Sequence, residues 1–200
     1  MPRPLRRFFP NGGGHHHREK DRTLFGFTVF LMSESVIFLA FIVSYIALRL
    51  TAETWLPPGV KGPEVSTSII IYTVVLLSSS LVIYLAERAL ERGKINLFRL
   101  LWLTTSAMGS FFLYGEIKEW LSNSFGPSTG LVGSTYYLLT GFHGLHVTAG
   151  IILQLIMLGR SFIPHNYDKG HFGATAVSLF WHLVDAIWII LFSLLYLWKA

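Results

Sequence analysis

LFGFTVFLMSESVIFLAFIVSYIALRL, residues 24–50, decides the class of this molecule. Its only acidic residue is Glu34 and its only basic one is Arg49. A helix needs about 20 mostly apolar residues to cross the hydrocarbon core of a bilayer, so the stretch reads as a membrane span. Four more segments of the same kind follow, at 66–86, 97–119, 134–158 and 173–198. The breaks between them carry turn-forming residues: Pro57-Pro58-Gly59, Gly93, Gly126-Pro127 and Pro164-His165-Asn166. The expected fold is an all-α membrane protein, a bundle of five transmembrane helices occupying residues 24–200 as one domain. Residues 1–23 are rich in Pro, Gly and Arg and read as a flexible basic cytoplasmic tail. Their run His15-His16-His17 could hold a metal weakly, but a solvated tail is the better reading. There is no internal repeat.

Composition agrees. Hydrophobic residues make up 52% of the chain and charged residues 14%, against about 25% charged in soluble domains. The formal charge is +5. The basic residues lie between apolar segments, so they read as orientation signals, and no nucleic-acid partner is expected. With no Cys, disulfides, thiolate metal sites and iron–sulfur clusters are excluded. The first apolar segment is too long for a signal peptide and has no fitting cleavage site, so a cleaved leader is not expected.

Cytoplasmic loops are enriched in Lys and Arg. Arg3, Arg6, Arg7, Arg18, Lys20 and Arg22 precede the first span. Arg88, Arg92, Lys94 and Arg99 surround the second connection, and Arg160 and Lys169 the fourth. Only Arg49, Lys61, Lys118 and Lys199 fall on the other side. The N-terminus is therefore expected in the cytoplasm and the C-terminus outside. Trp55, Trp120, Tyr136, Tyr196 and Trp198 are expected as aromatic anchors at the interfaces.

Ionisable groups at membrane depth are costly, and this makes them functional candidates. At about 1.5 Å per helical residue, Glu34 lies about 15 Å into its helix. His143 and His146 on the fourth segment, and His182 and Asp185 on the fifth, reach the same layer. Each of these last two pairs is spaced i,i+3 and so shares a helix face. The five side chains read either as an intramembrane hydrogen-bonded network, near a proton path or a lipid headgroup, or as polar groups that join three helices. A haem between His182 and His143 or His146 is a third reading. The glycines at 141, 144 and 150 oppose it, since small residues favour close helix contact over a cofactor cavity. Glu116, Glu119 and Trp120 fall near the outer end of the third segment and are expected to be interfacial. Ser78-Ser79-Ser80 should bond to its own backbone or to a neighbouring helix.

Four stretches resemble one family. TGFHGLHVTAG at 140–150 and SLFWHLVDAIWIILFSLLYLW at 178–198 are similar to the signatures of subunit III of the haem–copper oxidases, cytochrome c type. FLMSESVIFLAF at 30–41 sets Glu34 where that family has an intramembrane carboxylate. Glu116-Ile117-Lys118-Glu119-Trp120 matches a family Gln-x-x-Glu-Tyr pattern, with Glu116 in place of Gln as in some quinol oxidases. LVIYLAER at 81–88, LLTGFHGLH at 138–146 and LGRSFIPHNYDKGHFG at 158–173 resemble the five-helix cyanobacterial form, which lacks the first two helices of the seven-helix mitochondrial type.

The resemblance implies a subunit without a redox centre of its own. It would bind phospholipid, pair with subunits I and II that hold the haem and copper, and support proton uptake. The complex would be an enzyme that passes electrons from cytochrome c to dioxygen, makes water and pumps protons in the respiratory chain. Its membrane would be a bacterial plasma membrane or a thylakoid. A quinol oxidase subunit III is the alternative. From other classes come a stand-alone b-type cytochrome, a small transporter and an intramembrane hydrolase. No Pro breaks a span as transporters often require, and no serine lies in a recognisable nucleophile motif.

Overall fold

The computed structural model describes residues 13–163, 167 and 171–198, with side chains from residue 25 onward. Five helices follow in order: α1 (Gly13–Thr51), α2 (Thr67–Glu91), α3 (Ile95–Ser122), α4 (Gly130–Arg160) and α5 (Phe172–Phe192). A π-helical turn, Ser193–Leu197, prolongs α5. There is no strand among the described residues. Helix α1 begins at Gly13, so residues 13–23 of the expected tail are helical in the structure. Arg18, Glu19, Lys20 and Arg22 are good helix formers, and no Pro interrupts them. Residues 1–12 lie outside the described residues, as does the break at 164–166.

Four of the helical stretches are long and apolar enough to cross a membrane: Phe25–Thr51, Thr67–Glu91, Gly130–Arg160 and Phe172–Leu197. Helix α3 has the length, at 28 residues. Its apolar character is diluted by Thr104, Thr105, Ser106 and Ser110. Each of these hydroxyls donates to the carbonyl one turn back, so its polarity is answered within the helix.

The α2–α3 hairpin turns at Gly93, whose φ of 69° suits a residue without a side chain. Gly93 N–H donates to Leu90 O and Lys94 N–H to Ala89 O, the paired bonds that close a helix end of this kind. The two helices run antiparallel. Tyr72, near the start of α2, packs on Gly115 near the end of α3; a Cβ there would lie 2.3 Å from the ring. Helix α3 packs on α4, α4 on α5 and α5 back on α2, while α1 lies outside against α4 and α5.

Three indoles stitch this ring. Trp102, Trp181 and Trp188 have no exposed surface. Trp102 Nε1 donates to Gln154 O at 2.8 Å, Trp181 Nε1 to Ser79 Oγ at 2.8 Å and Trp188 Nε1 to Thr73 Oγ1 at 3.2 Å. In lipid no hydrophobic effect draws helices together, so such bonds and close packing do that work, at about 0.6 kcal/mol per bond. Tyr136 and Tyr196 belong to the same interior. They were expected at an interface, but they are 1% and 2% exposed and their hydroxyls meet at 2.8 Å. Each hydroxyl finds its partner on another helix instead of in water.

Candidate functional site: polar pairs between the helices

The five ionisable residues read from the sequence fall into three separate settings. Glu34 on α1 faces α4, where its Oε2 lies 2.9 Å from His146 Nε2. The other ring nitrogen, Nδ1, lies 2.8 Å from the Phe142 carbonyl oxygen one turn back. Phe38 and Phe142 pack edge-on to the imidazole at 4.8 and 4.7 Å, and Phe180 stacks at 6.2 Å. The pair is only partly covered, with 20% of the Glu34 side chain and 14% of that of His146 exposed.

His143 turns elsewhere. Its ring stacks on Trp188 at 4.9 Å and meets the edge of Phe112 at 5.9 Å. Neither ring nitrogen has a hydrogen-bond partner. The shared face expected for His143 and His146 therefore divides. Three residues of helix leave them about 60° apart, enough to aim one at α3 and α5 and the other at α1.

His182 and Asp185 are joined through α2. Ser80 Oγ is hydrogen-bonded to Asp185 Oδ2 and lies 3.0 Å from His182 Nδ1. Sequence reading singled out the serine run but did not connect Ser80 to these two residues. The signal was present: Thr73, Ser80 and Glu87 are spaced by seven, which returns a residue to one helix face every two turns. Of the other two serines, Ser78 bonds to its own backbone at Val74 O, and Ser79 both donates to Leu76 O and accepts from Trp181. Gln154 was missed altogether. It is fully buried on α4, with Oε1 2.8 Å from Ser106 Oγ.

Glu116, near the end of α3, is enclosed by the bundle. It is 4% exposed, and both carboxyl oxygens are buried without a partner. It fits because α4 has Gly144 opposite; a Cβ there would stand 3.1 Å from Oε2. Glu119 and Trp120 are half-buried. Trp120 Nε1 donates to Thr140 Oγ1 at 3.1 Å, which fastens α3 to α4. Among the described residues, no three His, Asp or Glu side chains gather as metal ligands. What the site offers is two places where a proton can be held, Glu34–His146 and Asp185–Ser80–His182, and a buried carboxyl at Glu116.

Comparison with known proteins completes the picture. The family model described as cytochrome c oxidase subunit III matches residues 10–200. The chain is 40% identical over 185 residues to a cytochrome c oxidase subunit 3 of Thermostichus vulcanus, covering 92% of this chain and 90% of that one. It is 39% identical over 193 residues to the protein of the same name from a Synechocystis strain, covering 95% and 82%. The Mus musculus protein of that name is 32% identical over 193 residues, covering 94% and 74%. With the match running through all five helices and both polar pairs, this chain belongs to the cytochrome c oxidase subunit III family.

Proposed function

We propose that this chain is the non-redox subunit III of a proton-pumping oxidase that transfers electrons from cytochrome c to dioxygen. The observation that carries the reading is the family match along residues 10–200. In this reading haem and copper belong to partner subunits I and II. The present chain stabilises subunit I, holds phospholipid and supports proton uptake. Its outer helix supports a role beside lipid or a partner: Val29, Met32, Val36, Leu39 and Val43 on α1 are all exposed. The two proton-holding pairs support a part in proton supply.

All five helices span the membrane in this proposal, with the N-terminus in the cytoplasm and the C-terminus outside. Helix α3 supports it by its length, about 42 Å at 1.5 Å per residue, and by its antiparallel packing on α2. The membrane is a bacterial plasma membrane or a thylakoid. The test is purification through a tag on this chain from its native membrane. A large haem–copper subunit should come with it, and the complex should oxidise reduced cytochrome c. Oxidation of quinol alone would reassign the donor, and a preparation with no haem–copper partner would overturn the subunit reading.

A further inference from the structure

Ser80 stands between two groups of α5 that both contact its hydroxyl. Its Oγ is bonded to Asp185 Oδ2 and to His182 Nδ1. A hydroxyl can donate once, so the second bond must be supplied from the far side. Two arrangements satisfy both bonds. In one, His182 is an imidazolium with hydrogens on both ring nitrogens, Nδ1–H donates to Ser80 Oγ and the hydroxyl donates to an Asp185 carboxylate, so the ring that loses the Nδ1 proton keeps Nε2–H and ends neutral. In the other, Asp185 is a carboxylic acid that donates to Oγ, and the hydroxyl donates to Nδ1. The heavy atoms are the same in both. The first becomes the second when the Nδ1 proton moves onto Oγ as the Oγ proton moves onto Oδ2. No other bond changes, and the serine ends with one hydrogen as it began.

The two ends of this chain differ in access. His182 is half-buried and lies within electrostatic reach of Glu87, seven residues after Ser80 on α2. Glu87, with Tyr84, Arg88 and Glu91, lines an open hollow of about 190 Å³ at the end of α2. Asp185 is 3% exposed, and its Oδ1 is buried with no partner. The other ionisable groups of this layer are engaged elsewhere: Glu34 on α1 with His146 on α4, and His143 on α4 against Trp188. On α5 the Trp181–Ser79 and Trp188–Thr73 bonds flank His182 and Asp185 and keep α2 and α5 in register.

We propose that His182, Ser80 and Asp185 form a proton relay along the α2–α5 seam, carrying a proton between the Glu87 end of α2 and the buried Asp185 carboxyl. Its direction, from the cytoplasm inward, rests on the topology proposed above. The relay itself rests only on the α2–α5 geometry.

The experiment is infrared spectroscopy of the full chain in lipid nanodiscs, with Asp185→Asn identifying the Asp185 carboxyl band. On transfer to D2O, the wild type and Ser80→Thr should exchange the Asp185 acid proton in a fast phase. Ser80→Ala should lose that phase while helical content and tryptophan fluorescence stay unchanged. Equal exchange in Ser80→Ala and wild type would overturn the relay. So would the absence of a protonated Asp185 band at every pH where the chain stays folded. Should Ser80→Ala not fold, His182→Phe asks the same question: the fast phase must be lost, and its survival overturns the proposal. No partner subunit is needed, so a failed relay leaves the subunit reading standing, and failed co-purification leaves the relay measurable.

Discussion

His146 Nδ1 faces a carbonyl oxygen, which can only accept, so Nδ1 must carry a hydrogen. The contact between Nε2 and Glu34 then needs one more proton. Either Glu34 is an acid donating to Nε2, or Nε2–H donates to a carboxylate. The pair is neutral overall in both forms, and this is what permits it at membrane depth, where an unpaired charge is costly. Replacement by Gln keeps a donor for Nε2. Glu34→Gln should therefore leave stability within about 0.5 kcal/mol of wild type. Glu34→Ala leaves Nε2 unanswered and should cost about 1–3 kcal/mol. Reversible unfolding of the full chain in bicelles measures both. Equal losses for the two variants would show that the hydrogen bond does not hold α1 in place.

At the scale of the helices, small residues decide which neighbour can approach. Gly150 on α4 faces the Trp181 ring, where a Cβ would lie 2.8 Å from Cε3. Trp181 is fully buried and tied to Ser79, so it cannot move aside. Gly150→Ala should cost about 1–3 kcal/mol by overpacking. Gly159, on the same helix, has nothing within 4 Å of its would-be Cβ. There Ala should be neutral or stabilise by up to about 1 kcal/mol, through lower backbone entropy in the unfolded chain. Thermal unfolding of the two variants side by side checks the contrast, and equal effects would contradict the packing account. The close-packing role of the helix-4 glycines was legible in sequence because small residues in an apolar helix have few other uses. So were the helices themselves, from the length of their apolar runs. Glu116 was not, because its burial depends on Gly144, a residue of another helix with no sequence mark of the pairing. Tyr136 and Tyr196 misled for a similar reason: an aromatic near a helix end reads as an anchor unless its hydroxyl has a partner inside.

For the whole molecule, the distribution of basic residues and the packing of α3 support the five-span topology proposed above. Arg49 is the exception in the charge pattern nearest a helix end, and the fold employs it. It donates to Tyr45 Oη and to Trp198 O, each at 2.6 Å, and its guanidinium lies over the Trp55 and Trp198 rings at 5.3 and 4.9 Å. It clasps the end of α1 to the end of α5, so it is part of the structure and not a free surface cation. With Arg49 set aside, the positive-inside pattern supports the proposed topology, in which the α2–α3 turn is cytoplasmic and the α1–α2 and α3–α4 connections are outside. Helix α3 is the decisive element, because its crossing alone separates Arg92 from Ser128. The absence of Cys allows a direct check. Lys61, Arg92 and Ser128 are exposed positions that accept single cysteines. A membrane-impermeant maleimide should label Lys61→Cys and Ser128→Cys from the outside of intact cells or right-side-out vesicles. It should reach Arg92→Cys only in inverted vesicles. If Ser128→Cys reacts from the same side as Arg92→Cys, α3 does not cross. Helices α4 and α5 would then have to reverse, and the five-span topology would be wrong.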